Sequence, residues 1–67
     1  MSHSTYRERR AAIGMSLREL SRRTEINPGR LSIIERGVPP KPEEEEAIEN
    51  TLSRAELAAK RTAAISA

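Results

Sequence analysis

The sequence predicts an all-α fold: a compact bundle of four or five short helices in a single domain spanning residues 1–67. Helix-start patterns recur along the chain, whereas runs that alternate apolar and polar residues, as strands do, are lacking. Tyr6 is the only aromatic residue, so the core must consist of Leu, Ile, Met and Val. A chain this short buries only about 60% of its unfolded surface, and we expect a partner subunit to add stability.

Several helix starts are marked by capping boxes, in which Ser or Thr and a Glu three residues later satisfy the free amides of the first turn. Three pairs have this spacing: Thr5 and Glu8, Ser16 and Glu19, and Ser53 and Glu56. The first two pairs predict helices at 5–13 and 17–24, and Gly14 suits the end of the former.

The third helix is predicted at residues 28–36. Asn27 is a favourable N-cap, and Pro28 suits the first helical position because an amide hydrogen would have no partner there. Gly37 suits the helix end. The three prolines of segment 38–42 make that segment a stiff connector.

The C-terminal third is predicted to form two helices, at 42–51 and 54–65. Four consecutive glutamates favour the first of these starts, because negative charge stabilises the N-terminal end of the helix dipole. No Gly or Pro separates the two helices. On one continuous helix, at about 100° per residue, Leu57 would lie opposite Ile48 and Leu52. We therefore place a bend after Leu52; a single long helix whose far face contacts another subunit is the alternative.

Charge is divided unevenly along the chain. Residues 1–36 hold eight Arg and four Glu, a net charge of +4. Residues 37–67 hold four Lys or Arg and six Glu, a net charge of −2. A basic half beside an acidic half is compatible with the binding of phosphate groups.

The composition argues against several classes of function. Cysteine is absent and His3 is the only histidine, so we expect neither a disulfide nor a metal site. No catalytic triad or phosphate-binding loop is visible, and we expect no enzymatic activity, no cofactor and no small-molecule ligand. No apolar run is long enough to span a bilayer and no signal peptide is visible, so we expect a soluble, cytoplasmic protein.

The first helix places a charge on its apolar face. Tyr6, Arg10 and Ile13 share one stripe, and a buried charge needs a partner. Glu35 flanks the buried stripe of the third helix, so we predict a structural ion pair between Arg10 and Glu35.

The third helix also has an outward face that core packing does not need. Four residues point away from its buried stripe: Gly29, Ser32, Ile33 and Arg36. Ile33 is the unexpected member, because packing of the core does not account for an isoleucine on this face. It could contact a thymine methyl in the DNA major groove. The alternatives are that another element covers it or that it is simply exposed. Gly29 either lets DNA approach the amides of the helix start or eases packing.

The segment from Gly14 to Gly37 resembles the helix-turn-helix of the Cro and phage-repressor family, often called the XRE family. The residues that carry the resemblance are Gly14, Met15, Ser16, Leu20, Ile26, Leu31, Ile34, Glu35 and Gly37. Arg10 also falls where the family places an arginine paired with that glutamate. The resemblance covers about residues 6–52.

The resemblance implies a lambda-repressor-like domain that binds operator DNA, usually as a homodimer, and regulates transcription. The positions expected to contact bases are Pro28, Gly29, Arg30, Ser32 and Ile33. The positions expected to contact phosphates are Ser16, Leu17, Arg18, Asn27 and Arg36. The expected partners are therefore double-stranded DNA and a second copy of the chain.

Four departures from the family pattern bear on this expectation. Leu17 replaces the usual Gln, Ser21 replaces Ala, and Glu25 occupies the turn position where Gly adopts a positive φ cheaply. Pro28 and Gly29 replace long polar base readers, so specificity should rely on the following residues and on DNA shape.

Two other functions compete with a phage or bacterial repressor. A protein-interaction module, such as an antitoxin or anti-repressor, is favoured by the acidic fourth helix and the alanine-rich C-terminal helix of residues 53–67. In that case Leu57 and Ile65 would form a strip for a partner or for a homodimer. A nucleoid protein without sequence preference is the third hypothesis.

Overall fold

The structure is a computed structural model that describes the backbone of residues 5–66 and the side chains of residues 5–61. Over this range the chain is all-helical, with four α-helices and no strand. The helices are α1 (Tyr6–Ala12), α2 (Leu17–Thr24), α3 (Pro28–Glu35) and α4 (Pro42–Ser66). The prediction of an all-α fold is confirmed, and the first three helices lie within one residue of their predicted bounds.

The helix starts follow from local hydrogen bonds. At α1 the capping box closes in both directions, since the Glu8 amide donates to Thr5 Oγ1 at 3.1 Å and the Thr5 amide donates to Glu8 Oε1 at 3.0 Å. At α2 the Glu19 amide donates to Ser16 Oγ at 3.0 Å, while the Glu19 carboxylate turns to arginines of its own helix. At α3 the Asn27 side chain caps the first turn.

The C-terminal third forms one helix rather than two. α4 continues past Leu52 without a break, so the predicted division into 42–51 and 54–65 is wrong. The physical reason is that residues 43–66 contain no Gly or Pro, and helix propensity favours continuation. Leu57, whose position motivated the predicted bend, is 52% exposed instead of being turned into the core.

The predicted capping box at Ser53 and Glu56 is also absent, because both residues lie inside α4. The Glu56 carboxylate accepts two hydrogen bonds from Arg9 on α1. A helix of 25 residues is about 37 Å long at about 1.5 Å per residue, which matches the 38 Å longest extent of the molecule. α4 therefore spans the length of the molecule, and α1 and α2 pack against it.

The core is small and aliphatic. Its buried residues come from the loop before α2 and from α2, α3 and α4: Met15, Leu20, Leu31, Ile34, Ile48 and Leu52. Tyr6, Ile13, Leu17, Ile26 and Ala55 pack at its margin. α2 lies at the centre, in contact with both α3 and α4, so the position of α3 depends on packing against α2 and on side-chain bonds to α1 and α4.

The turn from α2 to α3 is three residues long. Glu25 adopts a left-handed conformation with φ 62°, which costs a non-glycine residue about 1–2 kcal/mol. The Glu25 amide donates to the Ser21 carbonyl at 2.8 Å, and the Ser21 hydroxyl donates to the Ile26 carbonyl. Thr24 Oγ1 accepts from the Ile26 amide at 3.3 Å. Two side chains of α2 thus hold the turn in a geometry that glycine would adopt more cheaply.

Candidate nucleic-acid interface

The eight residues of α3 divide into an inward and an outward set. Inward residues join α3 to the rest of the chain through the core or through an ion pair: Arg30, Leu31, Ile34 and Glu35. Outward residues are exposed or half-buried: Pro28, Gly29, Ser32 and Ile33. The outward set contains four of the five residues expected to contact bases, so the structure brings these four together on one face.

Ile33 is the largest apolar side chain on this outward face. It is 42% exposed, while its neighbour Ile34 is 5% exposed. Val38, which sequence reasoning did not single out, is 39% exposed, and its amide donates to the Ile33 carbonyl at 3.2 Å. The described part of this chain therefore leaves two apolar side chains open to solvent near the C-terminal end of α3.

Gly29 is adjacent to the cap of α3. Its amide donates to Asn27 Oδ1 at 2.7 Å, and a Cβ on Gly29 would lie 3.0 Å from that same oxygen. No other neighbouring atom would lie within 4 Å of the Cβ, so close packing against another helix does not explain the glycine. The Asn27 oxygen is occupied by the cap, which leaves its amide nitrogen to donate to an external acceptor.

Of the five residues expected to contact bases, Arg30 is the one that does not lie on the outward face of α3. Its guanidinium donates from Nε to Glu44 Oε2 at 3.0 Å and from Nη2 to Glu44 Oε1 at 2.9 Å. These hydrogen bonds, followed by one from the Lys41 amide, lower the pKa of Glu44 to about 2. Hydrogen bonding to Glu44 raises the pKa of Arg30 in turn.

Arg10 and Glu35 form an ion pair that joins α1 to α3. Arg10 donates from Nε to Oε2 at 2.9 Å and from Nη2 to Oε1 at 3.0 Å. Its remaining nitrogen, Nη1, donates to the Met15 carbonyl at 3.0 Å. Only 16% of the Arg10 side chain and 7% of the Glu35 side chain are exposed, and hydrogen bonding to Glu35 raises the pKa of Arg10. The pair fixes the C-terminal end of α3 relative to α1 and to the loop before α2.

Arg9 forms a second link that sequence reasoning missed. It bonds Glu56 at 2.9 Å and Glu49 at 2.8 Å, both on α4, and hydrogen bonding to these carboxylates raises the pKa of Arg9. The partners lie 47 and 40 residues away in sequence, so no local pattern reveals them. The basic N-terminal half and the acidic C-terminal half thus neutralise each other in part.

The arginines of α2 and the unpaired arginines of residues 5–36 supply the cationic surface of the N-terminal half. Arg22 and Arg23 both pair with Glu19 on their own helix. Among residues 5–36, three arginines have no carboxylate partner within the described part of the chain: Arg7, Arg18 and Arg36. Arg36 donates to the hydroxyl of Ser32 at 3.2 Å, which holds it along the outward side of α3.

Arg7 and Arg36 line the same open cleft of about 280 Å³, together with Arg10, Leu17, Ser32 and Glu35. Leu17 is the first residue of α2, so the cleft lies beside a helix start, where backbone amides and the helix dipole favour anions. Sequence reasoning did not include Arg7. Arg7 precedes Arg10 by three residues, which puts both on one side of α1. This spacing in the sequence could have identified Arg7.

Two of the five residues expected to contact phosphates line this cleft, and the other three do not. Ser16 is exposed, and its hydroxyl oxygen is occupied by the cap of α2. Arg18 is exposed, Leu17 and Arg36 line the cleft, and Asn27 lies at the opposite end of α3.

The residues expected at a dimer or partner surface lie on α4. Leu57 is 52% exposed, and Ile65 lies outside the residues whose side chains are described. A second open cleft, of about 280 Å³, lies between α4, the loop from α1 to α2, and one side of α2. Its lining residues are Ile13, Gly14, Met15, Glu19, Arg23, Ala55 and Ala58.

Comparison with protein-family models, with curated proteins and with solved structures finds no significant match. Among the described residues, no helix combines the length and the apolar character needed to cross a bilayer. The same residues contain no group of three or more His, Cys, Asp or Glu side chains placed to hold a metal ion.

Proposed function

We propose that the protein is a sequence-specific DNA-binding transcription regulator in which α2 and α3 form a helix-turn-helix. α3 enters the major groove, and α2 crosses the sugar–phosphate backbone. The observation that carries the proposal is the division of α3 into residues that join it to the rest of the chain and residues that face solvent. A short helix that is held by an ion pair near each end and leaves one face open to solvent is suited to reading a groove.

The conformation of Glu25 supports the helix-turn-helix assignment. Family members place a glycine with positive φ at this turn position, and Glu25 keeps the positive φ without the glycine. The Ser21 hydroxyl bonds the turn that follows. Two departures from the family pattern therefore compensate each other, since the hydroxyl that Ser21 adds to the usual alanine bonds the Ile26 carbonyl of the turn at Glu25.

The electrostatics of the surface support contact with the DNA backbone. Arg7 and Arg36 line one cleft at the α2 start, and Arg18 is exposed on α2 itself. Phosphates bound at these positions would lie on the side of α3 that carries Ser32 and Ile33. Such contacts set the position of the helix in the groove, while the base-facing side chains supply discrimination.

Base reading would rest on small and apolar side chains. Ile33 is placed to contact a thymine methyl, and the Ser32 hydroxyl can hydrogen-bond to a base edge. Pro28 and Gly29 carry no long side chain, so the helix start can come close to the bases. DNA shape would supply further discrimination, since few direct hydrogen bonds are available.

A homodimer on a pseudo-palindromic operator completes the proposal. Two copies of α3 would bind half-sites about one helical turn, roughly 34 Å, apart. A repressor of phage or bacterial origin, acting in the bacterial cytoplasm, is the biological role that fits this arrangement. The proposed role involves no catalysis and no cofactor.

A protein-interaction module is the second candidate. It is favoured by the exposure of Leu57 and by the second cleft beside Ala55 and Ala58, neither of which the DNA-binding proposal uses. An antitoxin or anti-repressor would hold a partner protein along this part of α4.

Selection of bound duplexes from a random pool tests the proposal. A two-fold symmetric consensus, bound with an affinity that falls steeply with salt, supports a sequence-specific dimer. Binding without a consensus favours a nucleoid protein. The absence of binding at low salt overturns the proposal and leaves the interaction module.

A further inference from the structure

Arg30 and Glu44 form an ion pair beside the outward face of α3. Arg30 donates two parallel hydrogen bonds, of 3.0 and 2.9 Å, to the two carboxylate oxygens of Glu44. Two-point, charge-assisted pairs are the strong class of side-chain hydrogen bonds, and they fix the plane of the guanidinium group. Arg30 follows Gly29 on α3, yet its charge is directed to α4.

Glu44 is itself anchored. Its Oε1 also accepts the Lys41 amide at 2.8 Å, and only 14% of its side chain is exposed, against 32% for Arg30. Lys41 follows Pro39 and Pro40, which stiffen the connector. Because the carboxylate is held in place, it fixes the Arg30 guanidinium toward α4 and compensates its charge. The side chain must give up both hydrogen bonds to turn its full charge toward a phosphate on the outward side of α3.

We infer that Glu44 is a specificity-determining residue that withholds Arg30 from DNA phosphates. The inference rests on the proposed function, and it assigns a role to an α4 residue that faces no base. A phosphate contact strengthens binding to every sequence alike. By removing one such contact, Glu44 lowers affinity for non-specific DNA and leaves discrimination to the outward residues of α3.

The Glu44→Gln variant tests this role. Glutamine keeps an oxygen for the Lys41 amide but loses the charge that holds Arg30. A released arginine adds one phosphate contact, so the slope of log affinity against log salt should steepen by about 0.9 for duplex DNA. Between 50 and 200 mM salt the variant should therefore lose about 3.5-fold more affinity than the wild type does.

Two control variants separate release of Arg30 from a general change of charge. Glu46→Gln makes the same charge change at an exposed position of α4, and its slope should stay at the wild-type value. The double variant Arg30→Gln, Glu44→Gln removes the ion pair without changing net charge, and it should also bind with the wild-type slope. Fluorescence anisotropy with the full chain, on selected and on scrambled duplexes, measures all four proteins.

Three outcomes are distinguishable. A steeper slope for Glu44→Gln alone, with a larger gain on scrambled than on selected duplex, supports the inference. Equal slopes for Glu44→Gln and Glu46→Gln overturn it and leave the proposed function intact. A wild-type chain that binds no duplex overturns both. If Glu44→Gln melts below the assay temperature by circular dichroism, Arg30→Lys replaces it, since lysine keeps the charge without the two-point bond and should steepen the slope.

Discussion

Arg10 and Glu35 meet through two hydrogen bonds of 2.9 and 3.0 Å across 25 residues of sequence. The pair joins α1 to the C-terminal end of α3 and lines the same cleft as Arg7 and Arg36. Both side chains are largely buried, so each charge depends on the other for compensation. The orientation of the proposed recognition helix therefore depends on an ion pair at its C-terminal end.

Glu35→Gln should lower the free energy of unfolding by about 2 kcal/mol, because it removes the partner of a buried charge and weakens a charge-assisted pair. Urea denaturation followed by circular dichroism measures the change. Arg18→Met, at an exposed position without a carboxylate partner in the described chain, is the control and should stay within about 0.5 kcal/mol of wild type. Equal effects of the two substitutions would contradict a structural role for the pair.

Glu44 should remain ionised in acid down to about pH 2, because its hydrogen bonds from Arg30 and Lys41 lower its pKa to about 2 from a usual value of 4.5. A carboxylate whose pKa is lower in the folded state contributes stability above its unfolded pKa and loses it as pH falls. The pair should thus stabilise the fold above about pH 4.5 and lose its contribution as pH falls toward 2.

Carboxyl NMR titration of the wild type and of Arg30→Gln checks this prediction. The substitution should return the pKa of Glu44 toward its usual value, whereas Arg54→Gln, at an exposed position of α4, should leave that pKa low. A Glu44 carboxyl that titrates alike in all three proteins would rule out the ion pair in solution.

Ile33→Ala should weaken binding to the selected duplex about tenfold, the effect of losing one base-pair preference of about 1–3 kcal/mol. Binding to scrambled duplex should change little, since the side chain contacts no phosphate in the proposed complex. Leu57→Ala is the matched control, because it shortens another exposed apolar side chain away from α3. A loss of affinity in Leu57→Ala but not in Ile33→Ala would contradict this prediction and would indicate that the functional surface lies on α4.

Arg7→Gln should reduce the slope of log affinity against log salt by about 0.9, the amount expected for one phosphate contact. The reason is its position in the cleft beside the start of α2, together with Leu17 and Arg36. Arg54→Gln removes the same charge from an exposed position on α4. Salt titrations of both variants measure the two slopes of log affinity against log salt. An equal decrease in both slopes would refute the phosphate contact assigned to Arg7.

Local chemistry made much of the fold predictable. Thr5, Ser16 and Asn27 cap their helices in the structure because a cap depends only on residues within one turn. The Arg10–Glu35 pair could be anticipated because a charge on an apolar stripe requires a partner, and few carboxylates flank the core.

The two failures had different causes. The bend predicted after Leu52 rested on the assumption that Leu57 must be buried, whereas the helix tolerates its exposure. The pairing of Arg30 with Glu44 depends on how segment 38–41 turns α4 back toward α3, which no residue pattern specifies. The sequence alone does not reveal this contact, and it therefore predicts that Arg30 contacts DNA bases or phosphates.

Amide NMR of the labelled full chain, titrated with the selected duplex, tests the central claim most directly. We expect the largest shifts at Gly29, Ser32 and Ile33, with further shifts at the start of α2 and at Arg7. Shifts confined to α4 around Leu57, with α3 unchanged, would contradict a groove-reading role for α3.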